Sequence, residues 1–185
     1  MGNPVIDKLI HEHAGMGRVL AVIAKQFESI GQGAEPDLVL LANALHYMGE
    51  FPRVVHHPKE ELLFDRLQKA GDTCQQEIAE LRRQHREIYR LEDQLLERVL
   101  KLQGDDHAHD RKLLQKARQY LHVQRMHSIM EEQAVFPAAL SALAAEDFQR
   151  LEDQANLIED PLFGNNVAEK YRALYDYIML ESDER

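Results

Sequence analysis

Two stretches of this chain repeat one arrangement of a base and an acid. Val55-His56-His57-Pro58-Lys59-Glu60-Glu61-Leu62-Leu63-Phe64 and Met126-His127-Ser128-Ile129-Met130-Glu131-Glu132-Gln133-Ala134-Val135-Phe136-Pro137 both contain His-x-x-x-Glu, then a second acid, then an apolar pair ending in Phe. On an α-helix, positions i and i+4 lie one turn apart on the same face, so a histidine nitrogen and a carboxylate can reach one small volume. A carboxylate is also the natural bridge between two cations, because each of its oxygens can bind one. Single histidines, His13 and His85, precede the two motifs, which makes the order a twofold repeat of a helix pair. The ligand set this suggests is His13, His56, Glu60, His85, His127 and Glu131, with two histidines on each metal and both glutamates shared. Such a set leaves open positions for water, an oxo group or an exogenous ligand. Mixed imidazole and carboxylate ligation suits iron better than manganese or zinc. The expected cofactor is therefore two iron ions bridged by carboxylate and by an oxo or hydroxo group.

The elements that must position these residues are punctuated by glycine and proline. Asn3-Pro4 can start a helix and Gly31-Gln32-Gly33 can end it. Pro36-Asp37 can start a second helix running to about Gly71. Thr73 with Gln76 resembles a capping box for a third, which should stop near Gly104. A fourth begins between Asp105 and Asp110 and runs to Pro137 or just beyond. Shorter helices are expected at about Ala145–Ile158 and Asn165–Leu180, with Asp160-Pro161 and Gly164 between them. No stretch shows sustained alternation or clustered β-branched residues, so strands are not expected. The fold class is all-α: an antiparallel up-down four-helix bundle over residues 1–143, with 144–185 as a C-terminal helical extension packed on the same domain.

Periodicity assigns faces. The first helix places Ile6, Leu9, His13, Met16, Leu20, Ile23, Phe27 and Ile30 on one stripe and leaves His11 off it. The third does the same with Ile78, Leu81, His85, Ile88, Leu95, Val99 and Leu102. Either histidine alone would read as a hydrogen-bonded core residue. On the second helix, the stripe Leu38, Leu41, Leu45, Met48, Leu63 and Leu67 brings His56 and Glu60 inward and points His57 and Glu61 away. A distortion at Pro52 or Pro58 would shift the register toward His57 and Glu61. On the fourth, Leu113, Ala117, Tyr120, His127, Glu131 and Ala134 share a face, and His122 falls off it as an outer-layer or surface residue. His107 and His109 sit in a charged, solvated loop, Glu61 and Glu132 read as solvated acids, and His57, Glu61, Tyr89 and His122 are the candidates for the layer that supports the ligands from outside.

Bulk properties narrow the classes. The chain has 185 residues, enough for one domain with a real core, and a net charge of -10 that disfavours nucleic acid and anionic membranes. No apolar run approaches the roughly 20 residues of a membrane span. The start shows no basic-then-apolar signal, so a cytoplasmic location is the default expectation. Cys74 is the lone cysteine, which rules out an internal disulfide and a thiolate-built metal site, and no Ser/His/Asp pattern supports nucleophilic catalysis.

The chain resembles the hemerythrin-like HHE cation-binding family. The likeness rests on Leu9-x-x-Glu12-His13, His56-His57-Pro58-Lys59-Glu60-Glu61, Gln84-His85 and His127-x-x-x-Glu131-Glu132-x-x-Val135-Phe136-Pro137, and covers about residues 5–143. Asp160-Pro161-Leu162-Phe163-Gly164 is similar to extensions of bacterial members. The oxygen-carrying members have five histidines, one glutamate and one aspartate, with His-x-x-x-His on the third helix. Here Tyr89 stands four residues after His85, and the fourth helix has Glu131 in place of an aspartate one residue further on. The six-ligand set is more similar to relatives that repair iron-sulfur centres or handle nitric oxide, although the cysteine-bearing N-terminal domain of those proteins is missing here. For Tyr89 the resemblance leaves three roles: a hydrogen-bond donor to a bound oxygen species, a core aromatic, or, less favoured, a seventh ligand.

These observations imply a non-haem di-iron protein that binds or reacts with oxygen, peroxide or nitric oxide. The partner would be such a small diatomic or peroxide ligand, and the chain a monomer or homodimer. A dry pocket would draw on Met16, Leu20, Ile88 and Met130. The alternatives are an iron- or oxygen-sensing or storage module without turnover, and a metal-free helical interaction protein with buried His–Glu pairs.

Overall fold

The computed structural model describes residues 3–71, 73–102, 110–154 and 159–183, all helices, turns and loops without a strand. The helices are α1 (Pro4–Gly31), α2 (Leu38–Phe51), α3 (His57–Ala70), α4 (Gln75–Leu100), α5 (Arg111–Met130), α6 (Phe136–Ala142), α7 (Ala145–Gln154) and α8 (Arg172–Asp183). Three begin on side-chain caps. The Asn3 carboxamide oxygen accepts from the Val5 and Ile6 amides, Asp37 from Leu40, and Asp110 from Leu113. The box expected at Thr73 does not form. Cys74 occupies the cap position of α4 with φ 58, in the left-handed region, and its thiol makes no capping bond. The expected ends near Gly104 and Ile158, and the loop with His107 and His109, lie outside the described residues.

The second and fourth expected helices are each interrupted by a π-turn, at Pro52–His56 and at Glu131–Val135. The cause is the same in both. The residue before a proline donates five residues back, His57 N–H to the Pro52 carbonyl and Phe136 N–H to the Glu131 carbonyl. Pro58 and Pro137 have no N–H to give, and their rings need room from the preceding turn, so the helix widens by one residue there. One extra residue rotates everything beyond it by about 100° relative to a regular helix.

α1 packs on α2 and α5, and α4 packs on α2 and α5, so these four close a ring. The core within it is divided. One lobe gathers Met16 to Ile30 of α1, Leu40 to Val55, Ile88 to Leu102 and Leu113 to Tyr120. The other gathers Ile6 and Leu9 with Leu63 to Leu67, Ile78, Leu81, Val135, Phe136 and Phe148. Along α1 and α4 the chemistry-bearing residues fall between the lobes: His13 between Leu9 and Met16, His85 between Leu81 and Ile88. No helix of the described residues is long and apolar enough to cross a membrane.

The last helix starts later than expected, at Arg172, because Asp160 organises a turn before it. The Asp160 carboxylate accepts from the Leu162 and Phe163 amides and, at 2.9 Å, from the Tyr47 hydroxyl. Leu162 is fully buried, and the Phe163 ring packs over Gly15, where a Cβ would lie 2.9 Å from it.

Among the described residues, one buried acid belongs to neither the centre nor a salt bridge. Glu92 on α4 is 2% exposed, its Oε2 has no hydrogen-bond partner, and a side chain at position 49 of α2 would collide with its carboxylate. Burial pushes its carboxyl up to about 8, against the pull of Arg53. Between about pH 4.5 and 8 the unfolded chain has lost this proton and the folded chain keeps it, so stability falls as pH rises through that window. The Glu92→Gln variant is expected to match the parent's denaturation midpoint near pH 4.5 and to exceed it increasingly toward pH 8. Parallel pH dependences for the two proteins would contradict this.

Candidate metal centre

Five imidazoles meet between the two lobes: His13 of α1, His56 at the π-turn, His57 of α3, His85 of α4 and His127 of α5. Each has its Nδ1 tied to an outer partner. His13 is held by Glu132 at 2.8 Å, His56 by Glu12 at 2.8 Å, His85 by Glu61 at 3.1 Å, His127 by Gln84 at 3.2 Å, and His57 by the Tyr89 hydroxyl at 2.8 Å. An Nδ1–H that donates outward leaves Nε2 with a lone pair turned inward, the arrangement in which imidazoles serve as metal ligands.

The inward nitrogens surround two carboxylates with no exposed surface, Glu60 and Glu131. Glu60 Oε1 lies 2.7 Å from His56 Nε2 and 3.3 Å from His13 Nε2, while its Oε2 lies 3.3 Å from His85 Nε2. Glu131 spans the same gap, with Oε2 3.3 Å from His13 Nε2 and Oε1 3.3 Å from His127 Nε2. Each glutamate thus touches an imidazole on both sides. His85 Nε2 and His127 Nε2 face each other at 3.1 Å, a contact of two lone pairs unless a proton or a cation lies between them. His56 Nε2, Glu60 Oε2 and both Glu131 oxygens have no hydrogen-bond partner despite full burial. Groups left so are costly unless a cation takes them. Donor atoms of His13, His56 and Glu60, and of His57, Glu60, His85 and His127, lie within 4.8 Å of one another in two groups that share Glu60. The cluster can therefore hold a metal ion.

Without a cation, protons carry the balancing charge. Burial alone would lower His13, but Glu131 and Glu60 raise it to about 11. Burial opposes and Glu60 and Glu61 raise His85 to about 9. Burial and the neighbouring His85 hold His57 well below its ordinary value, consistent with a neutral ring. Glu60 is held far below the carboxylate range by the imidazoles, against its burial. A metal entering here displaces the imidazole protons.

All six residues of the expected set come together, and the structure adds His57. The regular register pointed His57 away, yet it is 3% exposed, because the π-turn at Pro52–His56 rotates it onto the inner face beside His56. Glu61 and Glu132 are not simply solvated acids. Each sits about 100° from the glutamate before it, at the edge of the inner face, and reaches a histidine of the next helix. His122 is exposed and takes no part, since it lies off the α5 stripe, and His11 is exposed as well. Tyr89 is half-buried and bonds His57. Met16 and Ile88 are buried one turn from His13 and His85, and Leu20 and Met130 are half-buried.

Glu12, Gln84 and Lys59 escaped the sequence reading as functional residues. Glu12 precedes His13 but holds His56, and Gln84 precedes His85 but holds His127. The buried Lys59 ammonium donates to the second oxygen of Glu12 at 2.6 Å. The available signal was their place beside each ligand in both repeats. The partners run round the ring, α1 to the His56 segment, α3 to α4, α4 to α5, and Glu132 back to α1.

Loss of such an outer partner weakens metal binding about 10–100-fold in known sites. Glu12→Ala and Gln84→Ala are each expected to release metal to a chelator at correspondingly lower chelator concentration, while His122→Ala behaves as the parent. Equal release from all four proteins would refute the outer-partner roles.

No protein-family model, curated protein or solved structure matches this chain, and the reading of the centre therefore rests on its own residues and geometry.

Proposed function

We propose that this chain is a hemerythrin-like, non-haem di-iron protein that binds or reacts with a small oxidant: oxygen, peroxide or nitric oxide. Its frame reads as an antiparallel four-helix bundle, α1, the α2–α3 pair, α4 and the α5–α6 pair, with α7 and α8 as the extension. The observation that carries the proposal is that Glu60 and Glu131 each approach imidazoles on both sides of the centre. Two cations sharing two carboxylates account for that geometry, whereas one cation would use one side of each. His13 and His56 would hold one iron, and His57, His85 and His127 the other, with the two glutamates common to both. This donor set of nitrogen and hard oxygen suits iron. A pair of irons supplies the electrons that oxidant chemistry needs.

The protein's own contribution is position and exclusion of water. The outer partners fix each ring's orientation, so little reorganisation remains when the centre is loaded. The lobes on either side keep bulk water from His56, Glu60 and Glu131. That same zero exposure favours a second reading, a sensing or storage module that keeps its iron and does not turn over.

The test is metal analysis of protein purified without added metal, with its visible spectrum in air. The expectation is about two irons per chain, lost in a His13→Ala/His85→Ala double variant. A reversible oxygen spectrum would favour binding or sensing, and peroxide consumption with bleaching would favour an enzyme. Unchanged metal content in the double variant, or none in the parent, would overturn the proposal.

A further inference from the structure

A cavity of about 510 Å³ opens between α3 and α4, and two imidazoles of the centre, His57 and His85, form part of its wall. Its other polar lining is Glu61, Arg82, Arg86 and Tyr89. Glu61 and Arg82 are bound to each other at 2.7 Å, and each has further partners: His85 for Glu61, Asp65 and Gln68 for Arg82. Arg86 is exposed at the rim and makes no ion pair or hydrogen bond among the described residues.

Tyr89 adds a second donor once the centre is loaded. For His57 to offer Nε2 to a cation, its Nδ1 must carry the proton and donate to the Tyr89 oxygen 2.8 Å away. The phenolic proton cannot then point at His57. It is then free to turn toward the cavity that Tyr89 lines, on a ring held from one side by the Arg53 guanidinium, 4.6 Å from its centroid. The cavity then presents a free cation and a free O–H, and its one acid is occupied. This local field opposes that of a chain with net charge -10, which repels anions elsewhere.

We propose that this cavity is the port by which a small monovalent inorganic anion reaches the centre, steered by Arg86 and received by the Tyr89 hydroxyl. The proposal rests on the di-iron reading above. Azide serves as the anionic probe and nitric oxide as a neutral control. Each is mixed in stopped flow with the iron-loaded protein, and the visible band is followed.

With the parent, azide association is expected to slow as ionic strength rises, because salt screens an attraction at the port. Arg86→Gln should slow azide about tenfold at low salt and reverse the salt dependence, because only the repulsive field of the whole chain remains. Tyr89→Phe should weaken azide affinity several-fold. Nitric oxide association should be the same in the parent and in Arg86→Gln and indifferent to salt. With iron content equal, an azide rate that rises with salt in the parent, or that is unchanged in Arg86→Gln, overturns the port and leaves the di-iron reading standing. Protein that retains no iron overturns both, and metal analysis of each sample separates the two failures.

Discussion

The structure depends on how five imidazole rings are turned. Every Nδ1 is tied to an acceptor or hydroxyl on the outer side. That one choice leaves inward lone pairs facing Glu60 and Glu131, which are acceptors themselves. Bringing lone pairs and carboxylates together out of water is unfavourable by several kcal/mol per group. Protons on His13 and His85 relieve part of it. Cations relieve it more fully, because each can accept several of these lone pairs at once. The fold thus holds in place an arrangement that its own side chains cannot fully satisfy.

The two apolar lobes make that arrangement tolerable. Each fully buried Leu, Ile or Phe contributes about 1.5–3 kcal/mol, and such residues flank the polar layer on both sides along α1, along α4 and along the continuous α2–α3 and α5–α6 segments. The layer is thin, and four polar residues at its edge support it. Glu12, Glu61, Gln84 and Glu132 each lie next to a ligand candidate in sequence and serve a histidine on another helix. The layer therefore cross-links the ring as well as filling it, and a ring orientation cannot change without disturbing a neighbouring helix.

The internal repeat is real but not symmetric, and the departures carry the specific features. Both proline-adjacent π-turns widen their helix, yet one ends at the histidine of its His-x-x-x-Glu motif and the other begins at its glutamate. Only the first can bring a second adjacent histidine inward. His57 consequently has no counterpart on α5, where Ser128 follows His127. Tyr89 completes the asymmetry as the partner of His57, on the side where the cavity opens. On one side of the centre Glu12 and Lys59 are buried against His56, and on the other His57 and His85 line the cavity between α3 and α4.

The sequence by itself determined the helical class, because the spacing of apolar residues on the first and third long segments can be satisfied in no other way. It also determined two face-sharing pairs, His56 with Glu60 and His127 with Glu131, since i to i+4 spacing is a property of the helix alone, and it put His13 and His85 on the core stripes of their own helices. Tertiary structure decided the rest. The inward turn of His57 depends on a hydrogen-bond shift at Pro52–His56, and a periodicity argument assumes a regular helix. The start of α4 at Cys74, without the capping box expected from Thr73, depends on one left-handed residue. The partners of the imidazoles are set by which helix lies next to which, so Glu12 and Gln84 could be seen beside their histidines but not matched to the ones they hold. Local spacing is encoded residue by residue, whereas pairing between helices exists only after the chain has closed on itself.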